Sequence, residues 1–250
     1  MERHAIFWGM TLDVSRIEAI SLDLDDTLWP VWPTIERAEV ALHDWLLHAA
    51  PRTADLLATP GILRELREAT ARERSDLAHD LSGLRRESIR TALRRSGEDP
   101  ALAEAAFEVF FMARQQVVLY DDALPALRLL SARYPLVAIS NGNADLRRTG
   151  VDRWFRTGFS AYAFGVAKPD RAIFEAAAAS VGVAPDAMLH VGDDATLDVV
   201  GARYAGMQAI WLARDNADAE LPDWPVGGHP QATVATLTAL CELLKIPAQG

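Results

Sequence analysis

One cysteine, Cys241, stands in a chain of 250 residues. It has no partner for an internal disulfide, and no CxxC or Cys/His cluster of zinc spacing occurs. A reducing, cytoplasmic setting is the expectation from that scarcity. Basic residues are also in deficit: 25 Lys and Arg against 35 Asp and Glu leave a formal charge of −10. Nucleic acid and anionic membranes both reward a basic face, so neither is expected as a partner. No apolar run reaches spanning length. The only apolar stretch near the N-terminus, Ala5 to Met10, is too short for a signal peptide and lacks a small-residue cleavage site. Met10 is an alternative native start to Met1. Internal repeats and low-complexity tracts are missing as well. What remains is an acidic chain, half of it apolar, with enough apolar mass for one large domain or two modest ones. Such a chain can bind a small anion if it recruits a cation.

The texture of the sequence changes twice. Ile17 to Leu24 is a short apolar run ending in acids, the pattern of a buried strand entering a loop. From Thr34 to Tyr120 helical patterning dominates, and the spacing predicts helices over 34–49, 61–78, 82–96 and 100–118. Pro51, Pro60, Gly83 and the Gly97–Pro100 stretch punctuate them. Beyond Asp121, strands alternate with helices. Strands are predicted over 135–140, 159–164, 187–191 and 207–212, and helices over 124–133, 144–149, 169–181, 196–205 and 234–244. That alternation argues for an α/β fold with a parallel sheet flanked by helices on both faces. Because the first strand precedes the helical block, the block reads as an insertion. The expected core is 1–28 plus 121–250, and the expected all-helical cap is 29–120.

Ligands of open parallel sheets collect at the carboxyl ends of the strands, and the polar clusters fall there. They are Asp23-Leu24-Asp25-Asp26-Thr27, then Ser140-Asn141-Gly142, then Lys168-Pro169 before a helix, then Gly192-Asp193-Asp194 with Asp198 following. Taken singly, each has a plain structural explanation as a cap, a loop former or a solvated lysine. Together, in this order, they point to one site. Asp23, Asp25 and Asp193 gathered within a few ångströms cannot all ionise unaided. A hard divalent cation solves this, and oxygen ligands beside a phosphate suit Mg²⁺. Phosphoryl transfer needs mostly positioning and charge stabilisation. Lys168 offers a point charge, Ser140 and Thr27 offer hydroxyl donors, and backbone N–H groups near Leu24, Asn141 and Gly142 can cradle phosphate oxygens.

These residues resemble the haloacid dehalogenase-like (HAD) hydrolase superfamily. Its first motif, DxDxT after an apolar strand, stands here as Asp23 to Thr27. Its second is Val137 to Ser140, its third Lys168-Pro169, and its fourth Gly192-Asp193 through Asp198. The helical insertion after the first motif resembles the superfamily's type 1 (C1) cap on a Rossmannoid core. The resemblance implies Asp23 as the nucleophile of an aspartyl-phosphate and Asp25 as general acid and base, its carbonyl also facing the metal. It implies Asp193 as a ligand with Asp23, Ser140 and Lys168 as holders of the phosphoryl group, and Asp198 as a group that orients Lys168 or a metal-bound water. Asp194 would help there or merely cap the next helix. Dehalogenases of the superfamily carry no acid at the position of Asp25, so an oxygen leaving group is expected.

A finer resemblance is to a bacterial branch that dephosphorylates flavin mononucleotide and 5-amino-6-(5-phosphoribitylamino)uracil. It rests on Ile20–Trp29, Pro135–Asn143 and Leu189–Trp211. The partner is then a small phosphorylated metabolite, met by a monomer or homodimer. Within the cap, Trp29 and Trp32 either stack on a planar ring or pack the cap onto the core. Arg85 and Arg86 either face the substrate or belong to a solvated helix face. His190 reads as a satisfied core histidine. The alternatives are a sugar phosphomutase, a broad-range sugar-phosphate or nucleotide phosphatase, and a binding protein on a catalytic scaffold.

Overall fold

The computed structural model describes residues 11–59, 61–214 and 223–246. The readings of Met1 against Met10 and of Pro60 as punctuation lie outside them. Six parallel strands form one sheet in the order β3-β2-β1-β4-β5-β6. The strands are β1 Ala19–Leu22, β2 Leu136–Ser140, β3 Thr157–Ser160, β4 Met188–Gly192, β5 Gln208–Leu212 and β6 Ala232–Val234. Among the described residues the helices before β2 are α1 Val31–Ala49, α2 Pro51–Leu57, α3 Ile62–Glu73, α4 Leu81–Arg95, α5 Ala103–Arg114 and α6 Ala123–Arg133. Those after it are α7 Ala161–Phe164, α8 Arg171–Ser180, α9 Gly201–Tyr204 and α10 Leu237–Leu243.

Strand alternation explains the layers. Ile20 and Leu22 of β1, with Leu136 and Ala138 of β2, face a core shared with α6 and α10. Ala19, Val137 and Ile139 face the opposite core, built with Ile173, Phe174 and Ala177 of α8. Covering both faces is what a parallel sheet requires. A third apolar cluster contains no strand residue: Leu42 and Leu46 of α1 pack with Ile89 and Leu93 of α4 and Phe107 and Phe110 of α5. The chain leaves the sheet after β1 and returns at Tyr120, whose N–H donates to the carbonyl of Leu28 at 2.9 Å.

Several predicted elements differ in the structure. Pro51 does not merely interrupt; it occupies the first turn of α2, where its missing N–H costs nothing. Residues 144–149 form turns rather than a helix, because the Asp145 side chain takes the N–H groups of Arg147 and Arg148, both at 2.9 Å. The strand expected over 159–164 covers Thr157–Ser160 and then stops. Ser160 caps α7, accepting from the N–H of Ala163, and Gly165 ends it in a left-handed conformation. The helix expected over 234–244 begins only after β6, where Thr236 caps α10. The helix expected over 196–205 opens as a π-helical turn, Ala195–Val200, before α9.

Candidate active site

The register of the three central strands brings the motifs together. Leu22 lies opposite both Ala138 of β2 and Val191 of β4. Asp23 follows Leu22 by one residue, while Ser140 and Asp193 follow their partners by two. The site therefore sits at the carboxyl edge, where the strand order reverses about β1.

Lys168 is the hub. The residue is 4 % exposed, and its ammonium donates to Asp23 Oδ1 and Asp198 Oδ1, each at 2.5 Å. Burial opposes its charge, but the two carboxylates hold its proton more tightly than usual. Asn141 fixes the loop that carries it. The Asn141 amide donates to the Lys168 carbonyl at 2.9 Å and accepts from the Lys168 N–H at 2.8 Å. The Lys168–Pro169 peptide is cis.

Asp198 has every oxygen occupied. Oδ1 also takes His190 Nε2 at 3.1 Å, and Oδ2 takes the N–H of Asp194 at 3.0 Å. Burial resists its ionisation, yet Lys168 and His190 hold it well below the usual carboxylate range. His190 Nδ1 in turn meets Ser21 Oγ at 2.8 Å, so the chain Ser21–His190–Asp198–Lys168–Asp23 runs unbroken beneath the site. Gly192 makes room for it, since a Cβ there would overlap the Asp198 carboxylate.

Asp23 and Asp193 differ from Asp198. Burial, with Asp198 and Asp193 adding to it against the pull of Lys168, raises Asp23 well above the usual range. Burial, then Asp198 and Asp26, push Asp193 up to about 7. Carboxylate oxygens of Asp23, Asp193 and Asp198 all lie within 4.8 Å of one another. Since Asp198 is fully engaged, Asp23 and Asp193 are the pair whose surplus negative charge suits a hard cation.

Asp25 reaches away from this cluster. Arg114, at the end of α5 and 1 % exposed, brings Nη2 to both of its oxygens at 2.6 and 2.7 Å. The indole of Trp29 donates to Oδ1 at 2.8 Å. Asp25 lies on the wall of a cavity of about 520 Å³ that also exposes Gly142, Trp32, Glu39, Arg85 and Arg114. Ser140 Oγ accepts from the Gly142 N–H at 2.9 Å.

Thr27 is corrected, and for Trp29, Arg86 and Asp194 the structure decides between the two readings left open. Thr27 does not offer its hydroxyl to a substrate; it is fully buried and donates to Asp193 Oδ1 at 3.2 Å. Trp29 cannot stack on a ring, because it is fully buried and bound to Asp25. Arg86 does not line the cavity; it pairs with Glu104 at 3.2 Å and lies over Phe107. Asp194 caps the π-helical turn, taking the N–H groups of Thr196 and Leu197 on its side chain. Arg85, in contrast to a solvated helix face, is buried on the cavity wall.

A family model described as haloacid dehalogenase-like hydrolase matches residues 17–206. The chain belongs to the haloacid dehalogenase-like hydrolases. It is 32 % identical over 235 residues to the 5-amino-6-(5-phospho-D-ribitylamino)uracil phosphatase YigB of Escherichia coli (strain K12), covering 92 % of this chain and 98 % of that one. It is 35 % identical over 132 residues to the phosphoserine phosphatase of Thermus thermophilus, covering 50 % of this chain and 53 % of that one. Among solved structures, a 2-haloacid dehalogenase from Pseudomonas syringae pv. Tomato DC3000 superposes with a TM-score of 0.81 at 37 % identity, covering 92 % and 98 % of the two chains. This HAD chain is a hydrolase with phosphatases among its relatives, and none of its described helices is long and apolar enough to cross a membrane.

Arg114 is the residue that sequence reasoning missed. No local pattern links position 114 to position 25. His190 is satisfied within the core, as expected, and the group that satisfies it is Asp198.

Proposed function

We propose that the chain is a Mg²⁺-dependent phosphomonoesterase working through an aspartyl-phosphate on Asp23. The observation that carries this reading is Asp25 on the wall of the 520 Å³ cavity, two residues beyond the nucleophile. A halide leaves without a proton, whereas an alcohol needs one. This feature favours phosphate ester chemistry over the dehalogenation named for the Pseudomonas syringae structure.

Asp23 attacks phosphorus, and the ester P–O bond breaks. The leaving oxygen takes a proton from Asp25. Asp25 then accepts a proton from water as that water attacks the aspartyl-phosphate, releasing inorganic phosphate and restoring Asp23. Lys168 stays charged throughout and offsets negative charge on the transferring group, with Asp198 and Asn141 holding it in place. Asp23, Asp193 and the Asp25 carbonyl would hold Mg²⁺, which would neutralise repulsion between anionic substrate and nucleophile. Ser140 and the N–H groups of Asn141 and Gly142 would receive phosphate oxygens.

The segment 29–120 acts as a cap that excludes water and carries the contacts to the leaving group. The core is 1–28 plus 121–250. The likeness to YigB supports 5-amino-6-(5-phosphoribitylamino)uracil as the physiological ester, and flavin mononucleotide is the other ester of the branch that the motifs resemble. The reading carries a cytoplasmic setting and a monomer or homodimer.

The test is phosphate release with Mg²⁺ over flavin mononucleotide, the ribityl intermediate, nucleotides and sugar phosphates. Halide release from 2-haloacids without phosphate release would reverse the reading. An isomeric sugar phosphate as product would mark a mutase instead.

A further inference from the structure

Two polar side chains lie deep beneath the acid cluster, where apolar ones would pack without a desolvation cost. Ser21 of β1 and His190 of β4 are register partners on adjacent central strands, and both are fully buried. Ala19 and Met188, two residues before them on the same face, belong to the apolar core. Phe174 of α8 stands edge-on to the imidazole, ring centroids 5.1 Å apart. A hydroxyl and an imidazole in such a place need hydrogen bonds to offset their loss of water. They have two: Ser21 Oγ lies 2.8 Å from His190 Nδ1, and His190 Nε2 lies 3.1 Å from Asp198 Oδ1.

The proton positions follow from the partners. Burial lowers the His190 pKa below its usual value, so at pH 7 the ring is neutral and carries one N–H. Against burial, Lys168 above all keeps Asp198 ionised, and an ionised carboxylate only accepts. The ring proton therefore sits on Nε2, and Nδ1 accepts from the Ser21 hydroxyl. Asp198 is then held by three donors: Lys168 and His190 on Oδ1, and the Asp194 N–H on Oδ2. Lys168 commits one ammonium hydrogen to Asp198 and one to Asp23. The third has no partner among the described residues. Its direction is set by the other two, so a carboxylate that cannot turn aims it.

We propose that Ser21 and His190 are positioning residues for Lys168. Ser21 fixes the imidazole with its proton on Nε2, His190 locks the Asp198 carboxylate, and Asp198 directs the free N–H of Lys168 at the transferring phosphoryl group. The last link rests on the phosphatase reading; the proton placement does not. The pair thus extends the support of the site two residues further into the sheet than Asp198 and Asn141.

Histidine labelled with nitrogen-15 reads the tautomer in the full chain. The His190 signals are told from those of the other histidines by their loss in His190→Gln or their shift in Ser21→Ala. A protonated Nε2 and an accepting Nδ1 are expected, and a proton on Nδ1 overturns the proposal. Ser21→Ala should move the Nδ1 resonance towards that of a ring nitrogen without a donor, and the absence of any shift overturns the role of Ser21. Turnover of para-nitrophenyl phosphate with Mg²⁺ reads the positioning. His190→Met fills similar space but offers no N–H, and kcat should fall by about tenfold or more. His190→Gln can present an amide N–H near the place of Nε2 and should stay within about threefold of wild type. An equal loss of kcat in the two folded variants overturns the proposal. Should either fail to fold, Ser21→Ala carries the test: kcat should fall by about threefold or more with little change in KM, and an unchanged kcat overturns it. If the wild type releases no phosphate, the phosphatase reading fails, and the nitrogen spectrum still decides how Ser21 and His190 hold Asp198.

Discussion

Arg114 Nη2 spans both carboxylate oxygens of Asp25 across 89 positions of sequence. One donor comes from the end of α5 and the acceptor from the loop after β1, so the helical segment holds the group expected to move the proton. Arg114 is a positioning residue in this arrangement. Arg114→Met should lower kcat on an alkyl phosphate by about tenfold or more, with a smaller loss on para-nitrophenyl phosphate, whose leaving group needs little protonation. An equal loss on both esters would assign Arg114 to the fold alone.

Asp23→Asn should abolish phosphate release while leaving the far-ultraviolet circular dichroism unchanged, because the amide is no nucleophile. Asp25→Asn should lose roughly 10²-fold or more in kcat. Substantial turnover in either variant, measured by phosphate release, contradicts the role given to it.

Gly192→Ala places a methyl group where the Asp198 carboxylate lies. Overpacking of this kind costs about 1–3 kcal/mol. Because Asp198 holds Lys168, the variant should lose activity by more than its fall in Tm accounts for. A variant with lowered Tm and full kcat would separate Asp198 from the positioning of Lys168.

Without a cation, Asp23 and Asp193 keep protons that the unfolded chain releases near the ordinary aspartate value of 3.8. The folded state then binds more protons than the unfolded one, so their contribution to stability falls as pH rises from about 4 through 7. His190, lowered by burial, works in the opposite sense near 6.5. The rise in Tm on adding Mg²⁺ isolates the carboxylates, since His190 is present in both measurements. That rise should be larger at pH 7.5 than at pH 5.5, and an equal rise would exclude Asp193 as a ligand.

Chelator should abolish turnover and Mg²⁺ restore it. Calcium should restore it poorly, because its larger and looser shell misplaces the nucleophile. Full phosphate release in calcium would count against the small-cation site.

The sheet and the acid cluster were legible because their signals are local and periodic. Apolar runs ended in polar clusters three times, and register then did the rest: Leu22, Ala138 and Val191 align. The roles of individual side chains were less legible. Thr27 closes the first motif where a substrate donor could stand, yet its partner Asp193 is 166 positions away. Trp29 reads from sequence as either a ring stacker or a packer of cap onto core, because nothing local reveals that its indole turns back onto Asp25. Element ends failed where a side-chain cap competed with periodicity, for the expected strand at Ser160 and the expected helix at Thr236. Arg85 and Arg86 are adjacent and chemically identical, and only the rotation of α4 sends one to the cavity and the other to Glu104.

The Tyr120 amide laces the outgoing chain to the returning one at Leu28. Arg114 and Trp32 stand on the helical side of that lacing, while Asp23 and Lys168 stand on the sheet side, so the spacing of guanidinium, indole and nucleophile depends on how the chain is held at Leu28 and Tyr120.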